Sequence, residues 1–131
     1  MKNSIRALLV LVLLATAFVT RAAETTSVMP GLRVFVTAHS FHIFVAARLA
    51  PLAKAAGIEG HQLVGAQMIG GSKVIQHWDL PDEKNHAKAA LREGKVDVLT
   101  MSPHVYLPDD GIDNFVALGL EHNPKIGRAH V

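Results

Sequence analysis

The run "LRVFVT", Leu32 to Thr37, constrains this chain more than any other stretch. It is apolar and β-branched with no alternation, so a strand built from it has no face suited to water. Such strands belong in parallel sheets covered by helices on both sides. Directly after "AHS" the period changes. Phe41, Phe44, Val45, Leu49, Leu52, Ala53 and Ala56 recur at helical spacing and are expected to face inward, with Arg48 and Lys54 off that face. Pro51 is expected to interrupt or kink this helix near Ala50, and Gly57 to cap its end.

The same alternation of elements continues downstream. "HQLVGAQMIGG" reads as a second strand ending in paired glycines. "PDEKNHAKAALREGK" reads as a helix with Asp82 as N-cap and Gly94 closing it. "VDVLTM" is a third buried-type strand. "GIDNFVALGLEHNP" gives a last helix, with Asp109 and Asp110 capping it and Ile112, Phe115, Val116 and Gly119 inward. Strand and helix alternate throughout, which implies right-handed crossovers and a parallel α/β sheet. There is no internal repeat.

The 131 residues carry no cysteine and a net charge of +2. The N-terminus has the three-part layout of a secretory signal peptide: Lys2 and Arg6, an apolar block from Ala7 to Val19, then small residues before a cleavage point after Ala22 or Ala23. That block falls short of the ~20 residues of a spanning helix, so an uncleaved membrane anchor is the alternative. The reading is therefore a signal peptide over 1–22, a polar linker over 23–31 and a secreted or periplasmic domain, touching membrane only before cleavage. Without the leader's basic residues the chain is close to neutral, which suggests no nucleic-acid partner. Export without cysteine leaves no role for thiol chemistry. At the other end, "IGRAHV" comes after "HNPK", where a new strand would be expected to begin. These six residues match an in-frame translation of a common sequencing-adapter stub, so 126–131 is read as a non-native tail, with an ordinary polar tail as the alternative.

In open α/β sheets, ligands collect beyond the carboxyl ends of the strands. Three such ends are legible: "TAHSFH", "GGS" and "MSPHVY". Ser40 stands at the first, where a strand turns into a helix and unpaired N–H groups can hold an oxyanion. That is a place for a nucleophile; an ordinary N-cap serine is the alternative. Gly70 and Gly71 let a backbone N–H approach substrate, or simply make a tight turn, with Ser72 capping the next segment. Trp78 is a substrate rim or packs over the sheet edge. His39, His42, His77, His86 and His104 show no metal-ligand spacing, so no metal site is assigned. Neither His39 nor His42 is placed to serve Ser40 as base, since neighbours so spaced do not share a helix face.

"VFVTAHSFH" resembles the first conserved block of the SGNH (GDSL-type) hydrolases, where a buried strand delivers a serine at a G-D-S turn. "GAQMIGGS" resembles the second block and "KVDVLTMSP" stands in the place of the third. The stretch is similar to a group of secreted bacterial SGNH-like proteins with an H-S-F-H turn and an I-G-G-S-x-V-I-Q-H-W segment. The resemblance covers 32–125 and corresponds to the front part of the family's domain. It implies a three-layer α/β/α sandwich with a parallel sheet, the flavodoxin-like SGNH fold, here through roughly its first three strands. In the implied strand order the third strand is an uncovered edge.

The resemblance also implies Ser40 as nucleophile, with the N–H groups of Ser40 and Gly71 (or Gly70) as oxyanion donors and no cofactor. Ala38 and His39 stand where the family has Gly and Asp. The third block has no Asn, leaving Ser102 or His104 to substitute; with His39, His42 and Trp78 these are the candidate substrate rim. The family's Asp-x-x-His pair does not occur in these residues. The expected function is hydrolysis of an acyl or acetyl ester of a carbohydrate or lipid, this chain being an inactive fragment. A non-catalytic α/β ligand-binding domain of the same fold is the rival, and a histidine-based metal binder the weaker one.

Overall fold

The computed structural model describes residues 29–103 and 107–129. The signal-peptide and most of the linker assignments therefore lie outside the described residues, as does His104. Four parallel strands form one sheet: β1 (Arg33–Ala38), β2 (Gln62–Met68), β3 (Val98–Met101) and the three-residue β4 (Gly127–Ala129), in the order β2-β1-β3-β4. Between them run α1 (Ile43–Ala55), α2 (Val74–Trp78), a 3-10 turn (Asp82–Lys84), α3 (His86–Arg92) and α4 (Asp110–His122). The molecule is α/β, with helices against both faces of the sheet.

β1 sits centrally and is buried on both sides from Val34 to Ala38, as its unbroken apolar run requires. Strand alternation divides it. Val34, Val36 and Ala38 meet Ala46 and Ile43 of α1, while Phe35 meets Val74, Ala87, Leu91, Leu99 and Phe115 across the sheet. At the amino-terminal edge, Arg33 grips Asp97 with Nε to Oδ2 at 2.9 Å and Nη2 to Oδ1 at 2.6 Å, and its own N–H also donates to Oδ2. The hydrogen bond from Arg33 holds the Asp97 carboxyl below the usual carboxylate range against the opposing effect of burial. This pairing joins β1 to the start of β3, two chain segments far apart in sequence.

Three expectations are corrected. The large apolar residues of α1 face outward, Phe44 57% and Leu52 63% exposed, as does Phe41 in the turn before it at 84%, while Ala46 packs on the sheet and Ala53, expected inward, is buried. Small side chains let the helix axis approach the strands closely, and that contact outweighs burial of the bulkier face. Pro51 does not interrupt the helix, which runs through it without the N–H that would reach Ala47. Asp82 begins a 3-10 turn; the cap of α3 is Asn85, whose side chain accepts Lys88 N–H at 3.0 Å.

Other details agree. Gly57, at φ +73°, ends α1 with Gly57 N–H donating to Lys54 O and Ile58 N–H to Ala53 O, a Schellman closure. Phe115 and Gly119 of α4 are buried, and Ile112 and Val116 pack against the same core. One further expectation is corrected in part: the edge of β3, expected to be bare, is covered where Val98, Leu99 and Thr100 pair with residues 127–129.

α4 starts so close to α2 that a Cβ on Gly111 would overlap Val74 C and Ile75 N. Both obstacles are backbone and cannot swing aside. Gly111→Ala is expected to destabilise the fold by about 1–3 kcal/mol, read as a lower denaturant midpoint. An unchanged midpoint would refute this packing of the two helices.

Candidate functional site

The three carboxyl-end turns meet along one rim. Ala38 is the last residue of β1 and lies opposite Met68, and Ile69 N–H extends the ladder by donating to Ala38 O at 3.2 Å. On the other side Ser102 N–H donates to Thr37 O at 3.2 Å. The turns 39–42, 69–72 and 102–103 thus leave adjacent strands at one level.

Ser40 is exposed at the first corner position of the turn His39–His42, closed by His42 N–H to His39 O at 3.2 Å. It is not the helix cap. That position belongs to His42, whose side chain makes no capping bond, and Ser40 Oγ has no hydrogen-bond partner among the described residues. His39 Nδ1 accepts Phe41 N–H at 3.3 Å, and its ring meets Phe41 edge-on. His42 is half-buried; burial, and then the nearby His39, lower its pKa. Its Nε2 is buried without a partner among the described residues.

The second turn, Ile69–Ser72, is closed by Ser72 N–H to Ile69 O at 3.4 Å. Gly71 holds φ +62°, which a type II turn demands at its third residue and which only glycine adopts without strain. Gly70 and Gly71 are exposed, a Cβ on either would meet open space, and neither N–H has a partner among the described residues.

Beneath this turn lies a polar cluster that sequence reading missed. Ser72 was expected to cap the following helix; instead it is 1% exposed and its Oγ donates to Ile69 O at 2.9 Å. With that proton committed, Ser72 Oγ accepts from Nε2 of His77, 2.8 Å away and equally buried. Nδ1 of His77 then accepts from Gln67 Nε2 at 3.2 Å, while Gln67 Oε1 accepts Ala87 N–H. Asn85 Nδ2 donates to the carbonyls of His77 and Trp78. The cap of α2 comes from far along the chain: Asp109 accepts Val74 N–H at 2.6 Å, Ile75 N–H at 2.8 Å and Gly111 N–H at 3.1 Å.

The remaining candidates divide. Trp78 packs edge-on against Phe115 and is covered by the Lys88 ammonium, 4.2 Å from its ring. Ser102 is buried at the rim, and its Oγ, like those of Thr37 and Thr100, has no partner among the described residues. No three His, Asp or Glu side chains gather as a metal ligand set among the described residues. The grooves at the foot of α1, beside Lys54 and His61, and along the β2 edge, beside Gly65 and His86, do not include the rim turns.

Burial drives the His77 pKa down to about 4, with Asp109 opposing and His39 adding slightly. The unfolded ring gains its proton near pH 6.5 and the folded ring only near 4. Stability from this group is therefore whole above pH 6.5 and is lost as pH falls toward 4, by about 3 kcal/mol in the limit. Urea unfolding across this range should show that loss, and His77→Gln should flatten it; equal slopes in both proteins would contradict the assignment.

No protein-family model matches the chain, and no curated protein or solved structure matches it either.

Proposed function

We propose that this chain carries the nucleophile and oxyanion donors of a secreted SGNH-type serine hydrolase acting on an acyl or acetyl ester of a carbohydrate or lipid. One observation supports the reading above the rest: an exposed serine without capping duty, one strand away from a glycine turn with unpaired N–H groups. The parallel order β2-β1-β3 agrees with the flavodoxin-like arrangement of that family.

In this reading Ser40 Oγ attacks the ester carbonyl carbon as a base takes its proton. The carbonyl oxygen becomes an oxyanion held by Ser40 N–H and the N–H of Gly71 or Gly70. Collapse expels the alcohol, and water then releases the acid and regenerates the serine. Ser102, with its unpartnered hydroxyl at the same rim, stands in for the missing Asn. Neither a metal nor an organic cofactor is called for. The Asp-x-x-His pair that would orient and supply the base is absent from these residues. Without it the rate falls by a factor on the order of 10⁴ or more.

A non-catalytic ligand-binding domain of the same fold is the second reading, favoured by His39 in the place of the family's Asp. The two readings separate on covalent reactivity. Fluorophosphonate treatment, with added imidazole as a surrogate base, should leave a single adduct on Ser40 by peptide mass spectrometry. The adduct should form faster with imidazole and vanish in Ser40→Ala. A chain that stays unlabelled at Ser40 at every imidazole concentration would favour the binding domain.

A further inference from the structure

We infer that Ser72 and His77 form a latch that holds the Gly70–Gly71 turn in place, and that adding a proton to His77 opens it. The geometry carries this. Gly70 and Gly71 are exposed, a Cβ on either would meet open space, and neither N–H is bonded to a described residue. The turn is held at its ends, by Ile69 N–H on Ala38 O before it and by Ser72 after it. Ser72 in turn is held by two contacts of its hydroxyl, one to Ile69 O across the turn and one to His77 Nε2 below. The hydroxyl thus clamps both ends of the turn to a buried imidazole.

Only the neutral imidazole is matched at both of its nitrogens. Gln67 Nε2 donates to Nδ1 and also lies 3.4 Å from His77 O; its carbonyl oxygen is committed to Ala87 N–H. The amide orientation is thereby set, and a second ring proton on Nδ1 would face an NH₂ group with no acceptor to receive it. Among the described residues the one favourable charge is Asp109, and no acid side chain hydrogen-bonds the ring. From the end of β1 comes His39, itself a base that opposes the charge; from β2 comes Gln67, which is neutral. The segment before α3 gives Asn85, and the Lys88 ammonium lies over Trp78. The favourable group is Asp109 before α4, and its oxygens already serve three backbone N–H groups. Burial adds to the same side, keeping the ring neutral until about pH 4. A proton on Nδ1 then sets its N–H against the Gln67 amide, and the ring relieves that clash by moving, which carries Ser72 with it.

The latch itself stands on these contacts alone; its catalytic consequence rests on the hydrolase reading, in which Ser72 and His77 are positioning residues for the oxyanion donors. NMR on the isotope-labelled full chain tests it, tracking the His77 ring signals, the backbone order parameters of Gly70 and Gly71, and hydrogen exchange at Val36 and Leu99. At neutral pH the two glycines should be rigid, with order parameters near ~0.85, and should drop below about 0.6 with the midpoint of His77 protonation. Ser72→Ala should give the same drop at neutral pH while Val36 and Leu99 stay protected, and His77→Gln should abolish the pH midpoint. Glycines that stay rigid through the His77 titration or in Ser72→Ala, or that loosen only together with Val36 and Leu99, would overturn the latch. In the fluorophosphonate assay Ser72→Ala should slow Ser40 labelling at least tenfold. If the unaltered chain is not labelled at all, the hydrolase reading fails and the order parameters alone decide the latch.

Discussion

The Asp109 carboxylate is the contact on which the arrangement hangs. It is almost fully buried, yet each oxygen is used: Oδ2 by Val74 N–H, Oδ1 by Ile75 and Gly111 N–H. A helix of five residues has little intrinsic stability, so α2 forms because a charge from a distant segment satisfies its first N–H groups. Hydrogen bonds to a charged acceptor contribute about 1.5–3 kcal/mol each, and here they also join the starts of two helices. Gly111 makes the junction sterically feasible. With α2 pinned there, His77 is carried under the sheet and Trp78 against Phe115.

From that pin the rim is built mechanically. His77 reaches Ser72, Ser72 closes the glycine turn, and the turn continues the β1–β2 ladder beside Ser40. At the opposite end of the sheet, Arg33 and Asp97 secure β1 to β3. The strand ends are thus fixed at both extremes while the 39–42 and 70–71 turns stay open to solvent. Among the described residues, the N–H groups of Gly70 and Gly71 above the paired strands have no partner.

How much of this was legible in the sequence varied with the range of the interaction. β1 was readable because an unbroken apolar run has few alternatives, and α4 because Phe115 and Gly119 fall on the face that its apolar period marks. α1 misled in part for a physical reason: periodicity weights Phe44 and Leu52 by size, but it is small Ala46 that packs on the sheet, while Ala53, on the expected face, is buried. Asn85 was missed as a cap because Asp82 is the better acidic candidate, and only the structure shows Asn85 also bound to the carbonyls of His77 and Trp78. The placement of Ser40 at a strand-to-helix corner was readable from the change of period; its freedom from capping was not. The Gln67–His77–Ser72 cluster had no local signature, since its members meet only after β2 and α2 pack together. Asp109 was readable as the cap of its own helix but not of α2, whose first residues lie 35 and 34 positions away.

The most direct test is scalar coupling across the hydrogen bonds themselves. In a ¹³C,¹⁵N-labelled sample, the amide nitrogens of Val74 and Ile75 should each show a through-bond correlation to the side-chain carboxyl carbon of Asp109. Both correlations should vanish in Asp109→Ala. Their absence from the unaltered protein, with Val74 and Ile75 N–H exchanging as freely as exposed amides, would contradict the account, because the Asp109 carboxylate is the contact that fixes α2 beneath the rim.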